Sequence, residues 1–196
     1  MSSSIPQSAL EQLFLNARTH NAWQPRPVED ATLRAIYDLL RWAPTSANCS
    51  PLRIVFVKSP AAKEKLLACV SPGNQEKTRT APVTAILAQD TAFHEQLPKL
   101  FPHADARSWF VGNQKLIDDT AFRNSSMQGG YFILAARALG LDCGPMSGFD
   151  AAALDTAFFA GTTLRANFLC NLGYGDHSKL HPRSPRMEFD AFCSIV

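Results

Sequence analysis

The segment from Trp42 to Pro51 constrains the fold of this chain more than any other, because it joins an amphipathic helix to an apolar strand. Pro44 ends the helix, since proline lacks the N–H that helix continuation needs and restricts the residue before it. The small polar side chains between the two prolines suit a planar ligand edged with carbonyls and ring nitrogens. Taken alone, the segment is more typical of a connector whose side chains satisfy turn backbone.

Hydrophobic periodicity predicts a mixed α+β chain without a regular βαβ alternation. Apolar residues at helical spacing predict an amphipathic helix over 10–17 and a second one that begins near Asp30, a suitable N-cap. The remaining apolar runs predict a helix at Ala61–Val70 and strands at Arg53–Lys58, Pro82–Ala88 and Ala166–Tyr174.

A long helix is predicted over Leu116–Leu139, with Gly140 as its left-handed cap. Gly129 and Gly130 in its middle indicate close approach of another backbone. Spacing alone does not decide whether that neighbour is a second copy of the chain or the same domain. The irregular stretch 91–116 is interpreted as an excursion or a lid, and the extended tail 177–196 as an arm that packs on a partner subunit.

Length and composition predict one domain over 1–196. The formal charge of +2 gives no broad basic field, so nucleic acid is not an expected partner. Five cysteines without metal or disulfide spacing indicate reduced thiols in a cytoplasmic protein. The sequence shows no secretory signal and no run apolar enough to span a membrane.

Four separated segments carry groups suited to ligand binding. Arg18 and Arg186 are candidates for a phosphate, because guanidinium groups bind phosphate oxygens bidentately. Lys77 supplies a positive charge of the kind that stabilises a reduced flavin ring. A turn is predicted at residues 144–148, where glycine permits close backbone approach to such a ring. The four segments are Arg18–Asn21, Pro44–Pro51, Gly73–Lys77, and Gly144–Gly148 together with Arg183–Arg186.

In these segments the chain resembles the FMN-dependent nitroreductase family. The residues that carry the resemblance are 18–23 (Arg-Thr-His-Asn-Ala-Trp), 43–48 (Ala-Pro-Thr-Ser-Ala-Asn), 74–77, 144–150 and Arg186. The match follows the order of the chain from about Leu10 to the tail. It is closer still to one branch, the malonic semialdehyde reductases (3-hydroxypropanoate dehydrogenases) of pyrimidine degradation, in the stretches 43–51, 101–110, 120–128 and 173–176.

The resemblance implies an α+β fold with a central, mostly antiparallel sheet flanked by helices, and an intertwined homodimer with a long central helix. FMN would lie at the dimer interface, with NADH or NADPH as electron donor. One subunit would contribute Arg18, Thr19, His20, Asn21, Asn74, Lys77, Pro145, Met146, Ser147, Gly148 and Arg186. The other would contribute Pro44, Thr45, Ser46 and Asn48. Asn21 and Ser147 stand where the family often has a basic and an acidic residue.

The mechanism implied by the resemblance is ping-pong hydride transfer through flavin N5, first from NAD(P)H and then to a small-molecule acceptor. No side chain is expected to be catalytic, because the cofactor carries the chemistry. For malonic semialdehyde the product is 3-hydroxypropanoate, and Arg107 or Arg123 is the candidate cation for its carboxylate. Nitro and quinone reduction is expected alongside.

Other classes of protein fit the sequence less well. Ser147 lacks the G-x-S-x-G order of a hydrolase nucleophile. His177 and His181 are spaced like a helical metal pair, but Pro182 follows at once, so no metal is predicted. Gly173 and Gly175 lack the helix of a dinucleotide fingerprint. A dimeric binding module without flavin turnover remains the alternative outside enzymes.

Overall fold

A computed structural model describes residues 4–196, so the first three residues of the predicted single domain lie outside the described part. Over the described range, helices and strands alternate irregularly, as the periodicity predicts. The helices are α1 (Gln7–Leu10, continued by a wider turn at Glu11–Leu15), α2 (Asp30–Leu40), α3 (Pro60–Leu67), α4 (Pro72–Thr80), α5 (Leu97–Leu100), α6 (Gln114–Ala138), α7 (Ala151–Phe159) and α8 (Phe189–Phe192). The strands are β1 (Leu52–Val57), β2 (Val83–Asp90), β3 (Asp142–Met146) and β4 (Leu164–Gly173).

The strands form one sheet in the order β1-β2-β4-β3, and every neighbouring pair is antiparallel. The predicted central antiparallel sheet flanked by helices is therefore confirmed. Residues 144–146, which were predicted to form a turn, instead belong to β3, and this part of the prediction is wrong. The strand tolerates Pro145 because β3 is an edge strand, where a missing N–H leaves no ladder partner unsatisfied.

Both faces of the sheet are covered by helices, because side chains of a strand alternate between its faces. Val83 and Leu87 of β2 pack with Ile36 of α2 and Phe132 of α6 in one core cluster. Ile86 lies in a second cluster, which α3 and α7 complete on the opposite face. The near-continuous apolar run of β2 thus reflects burial on both sides.

Sequence analysis did not predict two of the helices, α4 and α7. Helix α4 contains residues 74–77 and begins with Pro72, which suits the first helical position because its missing N–H is not needed there. Helix α7 begins after Asp150, whose Oδ1 accepts a hydrogen bond from the Ala153 amide (3.0 Å). Asp150 is therefore an N-cap.

The long helix α6 runs for 25 residues, close to its predicted bounds, and ends before Gly140, whose φ of 78° confirms the left-handed cap. The two mid-helix glycines have different surroundings. A Cβ on Gly129 would lie 2.5 Å from Cε1 of Phe168 in β4, whereas Gly130 has open space around it. The close neighbour of Gly129 is therefore a side chain of the chain's own sheet and not another backbone.

The stretch 91–116 consists of short helical turns, and it is packed against the start of α6. Phe93, Leu97, Phe110 and Ile117 form a third buried cluster there.

The tail beyond residue 180 is exposed. The interpretation of 91–116 as an excursion or lid, and of 177–196 as an arm on a partner subunit, stays a prediction. Among residues 4–196, no helix is both long and apolar enough to cross a membrane.

Replacing Gly129 with alanine is expected to lower the free energy of unfolding. Overpacking against Phe168 costs about 1–3 kcal/mol, which exceeds the gain of about 1 kcal/mol from replacing a helical glycine. Urea denaturation of Gly129→Ala, Phe168→Leu and the double variant measures this. Phe168→Leu should cost less in the Gly129→Ala background than alone. Additive costs would contradict the proposed clash.

Candidate functional site

The segment that contains Arg18 to Asn21 lies along the outer edge of β3. Thr19 forms a parallel bridge with Cys143, and the His20 amide donates to the Cys143 carbonyl (3.0 Å). Thr19 and Asn21 are exposed, whereas the His20 side chain is buried. The Arg18 guanidinium donates to the carbonyl oxygen of His181, which joins the segment to the tail. The segment thus presents small polar groups beside an edge strand.

Helix α4 is fastened to the end of β3 by direct hydrogen bonds. Asn74 Nδ2 donates to the Gly148 carbonyl (3.0 Å), and a Cβ on Gly148 would collide with the same amide nitrogen. The buried Met146 receives a contact from Thr78 Oγ1 (3.7 Å), while Pro145 and Ser147 are exposed. The structure therefore brings most of the predicted cofactor residues to one place. This β3-edge set comprises Arg18, Thr19, His20, Asn21, Asn74, Lys77, Pro145, Met146, Ser147 and Gly148.

Lys77 is fixed through its backbone and free at its side chain. Its carbonyl accepts from Trp23 Nε1 (3.0 Å) and from Asn171 Nδ2 (3.2 Å). Within residues 4–196, its ammonium group forms no ion pair or hydrogen bond. A fixed backbone with an unpaired cation is an arrangement suited to an anionic group of a ligand.

A buried lysine that sequence analysis missed anchors the end of α4. Lys63 Nζ donates to the carbonyls of Thr78 and Ala81 (both 3.0 Å) and to Thr84 Oγ1 (2.9 Å). Thr84 in turn donates to Asn171 Oδ1 (2.7 Å), the residue that holds the Lys77 carbonyl. Burial lowers the pKa of Lys63 to about 8. One polar network thus joins the sheet to the backbone that carries Lys77.

The Pro44 loop, residues 44–51, lies at the other edge of the sheet, because it leads directly into β1. Ser50 N donates to Thr45 Oγ1 (3.1 Å), and Asn48 Nδ2 donates to the Leu100 carbonyl (2.8 Å). Through these bonds the two side chains satisfy backbone groups, as expected if the segment serves as a connector. Asn48 and Ser50 have φ values of 51° and 39°, a left-handed backbone that holds the loop in a tight turn. Ser46 and Pro44 are exposed.

The two groups of predicted cofactor residues are separated within one chain. With strands about 4.8 Å apart, the edges β1 and β3 of a four-stranded sheet are roughly 14 Å from each other. Beside the Pro44 loop, a groove of about 1410 Å³ opens between α2 and β1. Trp42, which lines this groove, is 78% exposed. Within one chain, the two inner strands β2 and β4 therefore lie between the two groups.

The three remaining predicted residues are arginines outside both groups. In the part of the chain that the structure describes, Arg186 donates only to the neighbouring carbonyls of Ser184 and Pro185 (2.8 and 3.1 Å). Arg107 forms a two-pronged pair with Glu95 (both 2.8 Å), which lowers the pKa of that carboxyl group. Arg123 is exposed on α6 and forms no ion pair within residues 4–196.

Comparison with known proteins gives the class of protein that this fold and site define. The model of the "Nitroreductase family" matches residues 15–174, which is most of the chain. The chain therefore belongs to the nitroreductase family. This confirms the coarser part of the resemblance.

Particular relatives cover the chain almost completely. A "Putative NADH dehydrogenase/NAD(P)H nitroreductase" of Burkholderia lata is 65% identical over 98% of this chain and 99% of its own length. One of the same name from Polynucleobacter asymbioticus is 62% identical over 100% of both chains. A solved "putative nitroreductase in complex with FMN" from Exiguobacterium sibiricum 255-15 shares the fold, with a TM-score of 0.85, 16% identity and 100% coverage of both chains. These findings agree with the predicted FMN cofactor and nicotinamide donor.

Replacing Lys63 with methionine is expected to change how stability depends on pH. The unfolded chain keeps this amine protonated up to its ordinary pKa of 10.5, whereas the folded chain releases the proton near pH 8. The unfolded state binds more protons between these values, so the free energy of unfolding of the wild type rises with pH there. Lys63→Met lacks this rise, which is on the order of 3 kcal/mol.

Urea denaturation of both proteins from pH 7 to 10.5 measures the difference. Lys115→Met is the matched control, since Lys115 is an exposed lysine that pairs with Asp119 on α6. Its profile should run parallel to that of the wild type. A Lys63→Met profile parallel to the wild type would show that the buried amine does not titrate as argued.

Proposed function

We propose that the protein is an FMN-dependent NAD(P)H oxidoreductase that works as a homodimer. The observation that carries the proposal is the separation of the β3-edge set from the Pro44 loop. Each group holds polar residues that the family resemblance assigns to one cofactor, yet they lie at opposite edges of the sheet in one chain. In the proposed dimer, the β3-edge set of one subunit meets the Pro44 loop of the other.

Exposed apolar side chains support the association of two chains. Tyr37 and Trp42 at the end of α2, and Phe122 and Tyr131 on α6, are each at least 44% exposed. Several large apolar side chains exposed on two neighbouring helices favour contact with a partner. Gly130 lies on the same side of α6 with open space around it, where a second backbone can approach. The tail 177–196 is proposed to cross the partner's surface.

The β3-edge set fits FMN by the chemistry of its groups. The unpaired ammonium of Lys77 suits the negative charge of a reduced flavin, and the exposed Thr19 and Asn21 offer hydrogen-bonding groups beside it. The guanidinium groups of Arg18 and Arg186 are proposed to hold the phosphate. When bound, FMN supplies hydride transfer from NAD(P)H to the acceptor. The protein orients both substrates and fixes the charges around them.

We assign malonic semialdehyde as the physiological acceptor, with 3-hydroxypropanoate as product. The sequence resemblance to that branch supports this choice. The substrate's carboxylate needs a cation, and the two candidates differ in the structure. Arg107 is engaged by Glu95, whereas Arg123 carries no ion pair in the described chain. Arg123 is therefore the better candidate, with the acceptor bound near α6.

A broad-specificity nitro and quinone reductase is the second candidate function. The names of relatives more than 60% identical over nearly the whole chain favour it. It shares the cofactor, the dimer and the electron donor with the first candidate, so only the acceptor separates the two. A binding module without turnover would differ from both, because it would not oxidise NAD(P)H.

The absorbance spectrum of the purified protein under nitrogen tests the proposal. We expect a flavin spectrum that bleaches with NADH or NADPH and recovers when malonic semialdehyde is added. Recovery with quinones or nitroaromatics alone would leave the second candidate. A colourless protein that FMN does not reconstitute would overturn both. Light scattering on the same sample should give the mass of two chains.

Arg186→Ala is expected to weaken FMN binding about tenfold or more, since it removes a charged partner of the phosphate. Titration of the FMN-depleted protein with FMN measures the affinity. Arg165→Ala is a suitable control, because Arg165 is exposed at the start of β4 and faces Asp155 instead. Equal FMN affinity of Arg186→Ala and the wild type would remove Arg186 from the site.

A further inference from the structure

Three metal-ligating side chains meet at the start of β3, although the sequence separates them widely. They are His20, Asp142 and His177, and their ligating atoms all lie within 4.8 Å of one another. His20 Nε2 is 3.4 Å from Asp142 Oδ1, and the two imidazole rings are 4.9 Å apart between centroids. Sequence analysis weighed His177 only with His181, whereas the fold places it beside His20.

The buried His20 lacks the hydrogen bonds that its position demands. Its side chain is 1% exposed, and neither ring nitrogen has a hydrogen-bond partner within the described chain. Buried polar groups are nearly always paired, because an unpaired one loses its hydration without compensation. An unpaired imidazole nitrogen that faces a carboxylate therefore points to a ligand between the two groups.

The spacing of these two groups fits a tetrahedral metal ion. Ligand bonds of about 2.0–2.1 Å at tetrahedral angles place neighbouring ligand atoms roughly 3.3–3.4 Å apart. The distance between His20 Nε2 and Asp142 Oδ1 is 3.4 Å. Two imidazoles with one carboxylate are also a donor set that zinc uses in sites with an open fourth position.

The surrounding backbone holds the two inner ligands in place. Asp142 Oδ2 accepts from the Gly175 amide (2.8 Å), so Oδ1 is left for the metal. A Cβ on Gly175 would collide with the His20 ring, so only glycine leaves room for the buried imidazole there. His177 begins a short helical turn on the surface, where its side chain is exposed and can move the remaining distance.

We infer that His20, Asp142 and His177 bind one divalent transition-metal ion, with zinc the preferred occupant. Zinc, a cation of borderline softness, accepts both imidazole and carboxylate ligands at the charge and geometry of this site. The carboxylates of Asp142 and Asp176 near the imidazole outnumber the single guanidinium of Arg18. The metal would join residues 18–23, the start of β3 and the start of the tail. The inference does not depend on the proposed flavin activity.

Zinc titration of the untagged, EDTA-treated holoprotein by calorimetry tests the inference. We expect one zinc ion per chain in the wild type and binding at least tenfold weaker in His177→Ala and in Asp142→Asn. His181→Ala is the matched control, because it removes an exposed histidine four residues from His177, and it should bind zinc like the wild type. The far-ultraviolet circular dichroism spectrum and the thermal unfolding midpoint of each variant, measured in parallel, show that it is folded.

Two results would overturn the site. Either the wild type takes up no zinc, or His177→Ala and His181→Ala take up zinc equally, which would indicate an adventitious ion only. Crystals soaked in zinc provide an independent readout. An anomalous peak between His20 and Asp142 supports the inference, and a peak only at the exposed Cys193 contradicts it.

Discussion

The antiparallel pairing of β2 with β4 is the interaction on which the rest of the structure depends. These two strands occupy the centre of the sheet, and helices cover both of their faces. Their pairing leaves β1 and β3 as the two edges. Because each edge receives one group of polar residues, the central pair also sets the distance between the two groups of candidate cofactor residues. In the proposed dimer, the exposed apolar side chains of α2 and α6 give the second chain a place to bind.

The buried network of Lys63, Thr84 and Asn171 shows how the sheet controls a residue on its border. Burying an amine without an acidic partner costs free energy, so hydrogen bonds to two carbonyls and a hydroxyl must offset that cost. Those bonds also satisfy carbonyls near the end of α4, which have no partner inside the helix. The backbone of Lys77 is fixed by Asn171 from the same network. The free ammonium therefore projects from a rigid support, which is what preorganised charge stabilisation requires.

Sequence analysis predicts those parts of the fold in which one local signal dominates. Apolar periodicity places α2, α6 and three of the four strands, and Gly140 marks the end of α6. It misplaces β3, because Pro145 and two glycines within residues 144–148 signal a turn, and only pairing with β4 makes them a strand. It also misses α4, whose polar residues give little periodicity.

The candidate site was harder to predict than the fold, because it depends on contacts that carry no local sequence signal. Individual residues such as Lys77 are predictable from a family resemblance, but contacts between distant segments are not. Lys63 and Asn171 are more than a hundred residues apart, and neither sequence neighbourhood signals a buried polar network. The cluster of His20, Asp142 and His177 likewise exists only because Thr19 bridges to β3 and Trp23 bridges to Gly175. Sites whose residues meet only where strands pair can be found only from the three-dimensional structure. The choice of acceptor depends on fewer residues still. If FMN carries the hydride chemistry, the cations that orient the acceptor decide between an aldehyde acid and a neutral quinone, and of the two candidates Arg107 is already paired with Glu95.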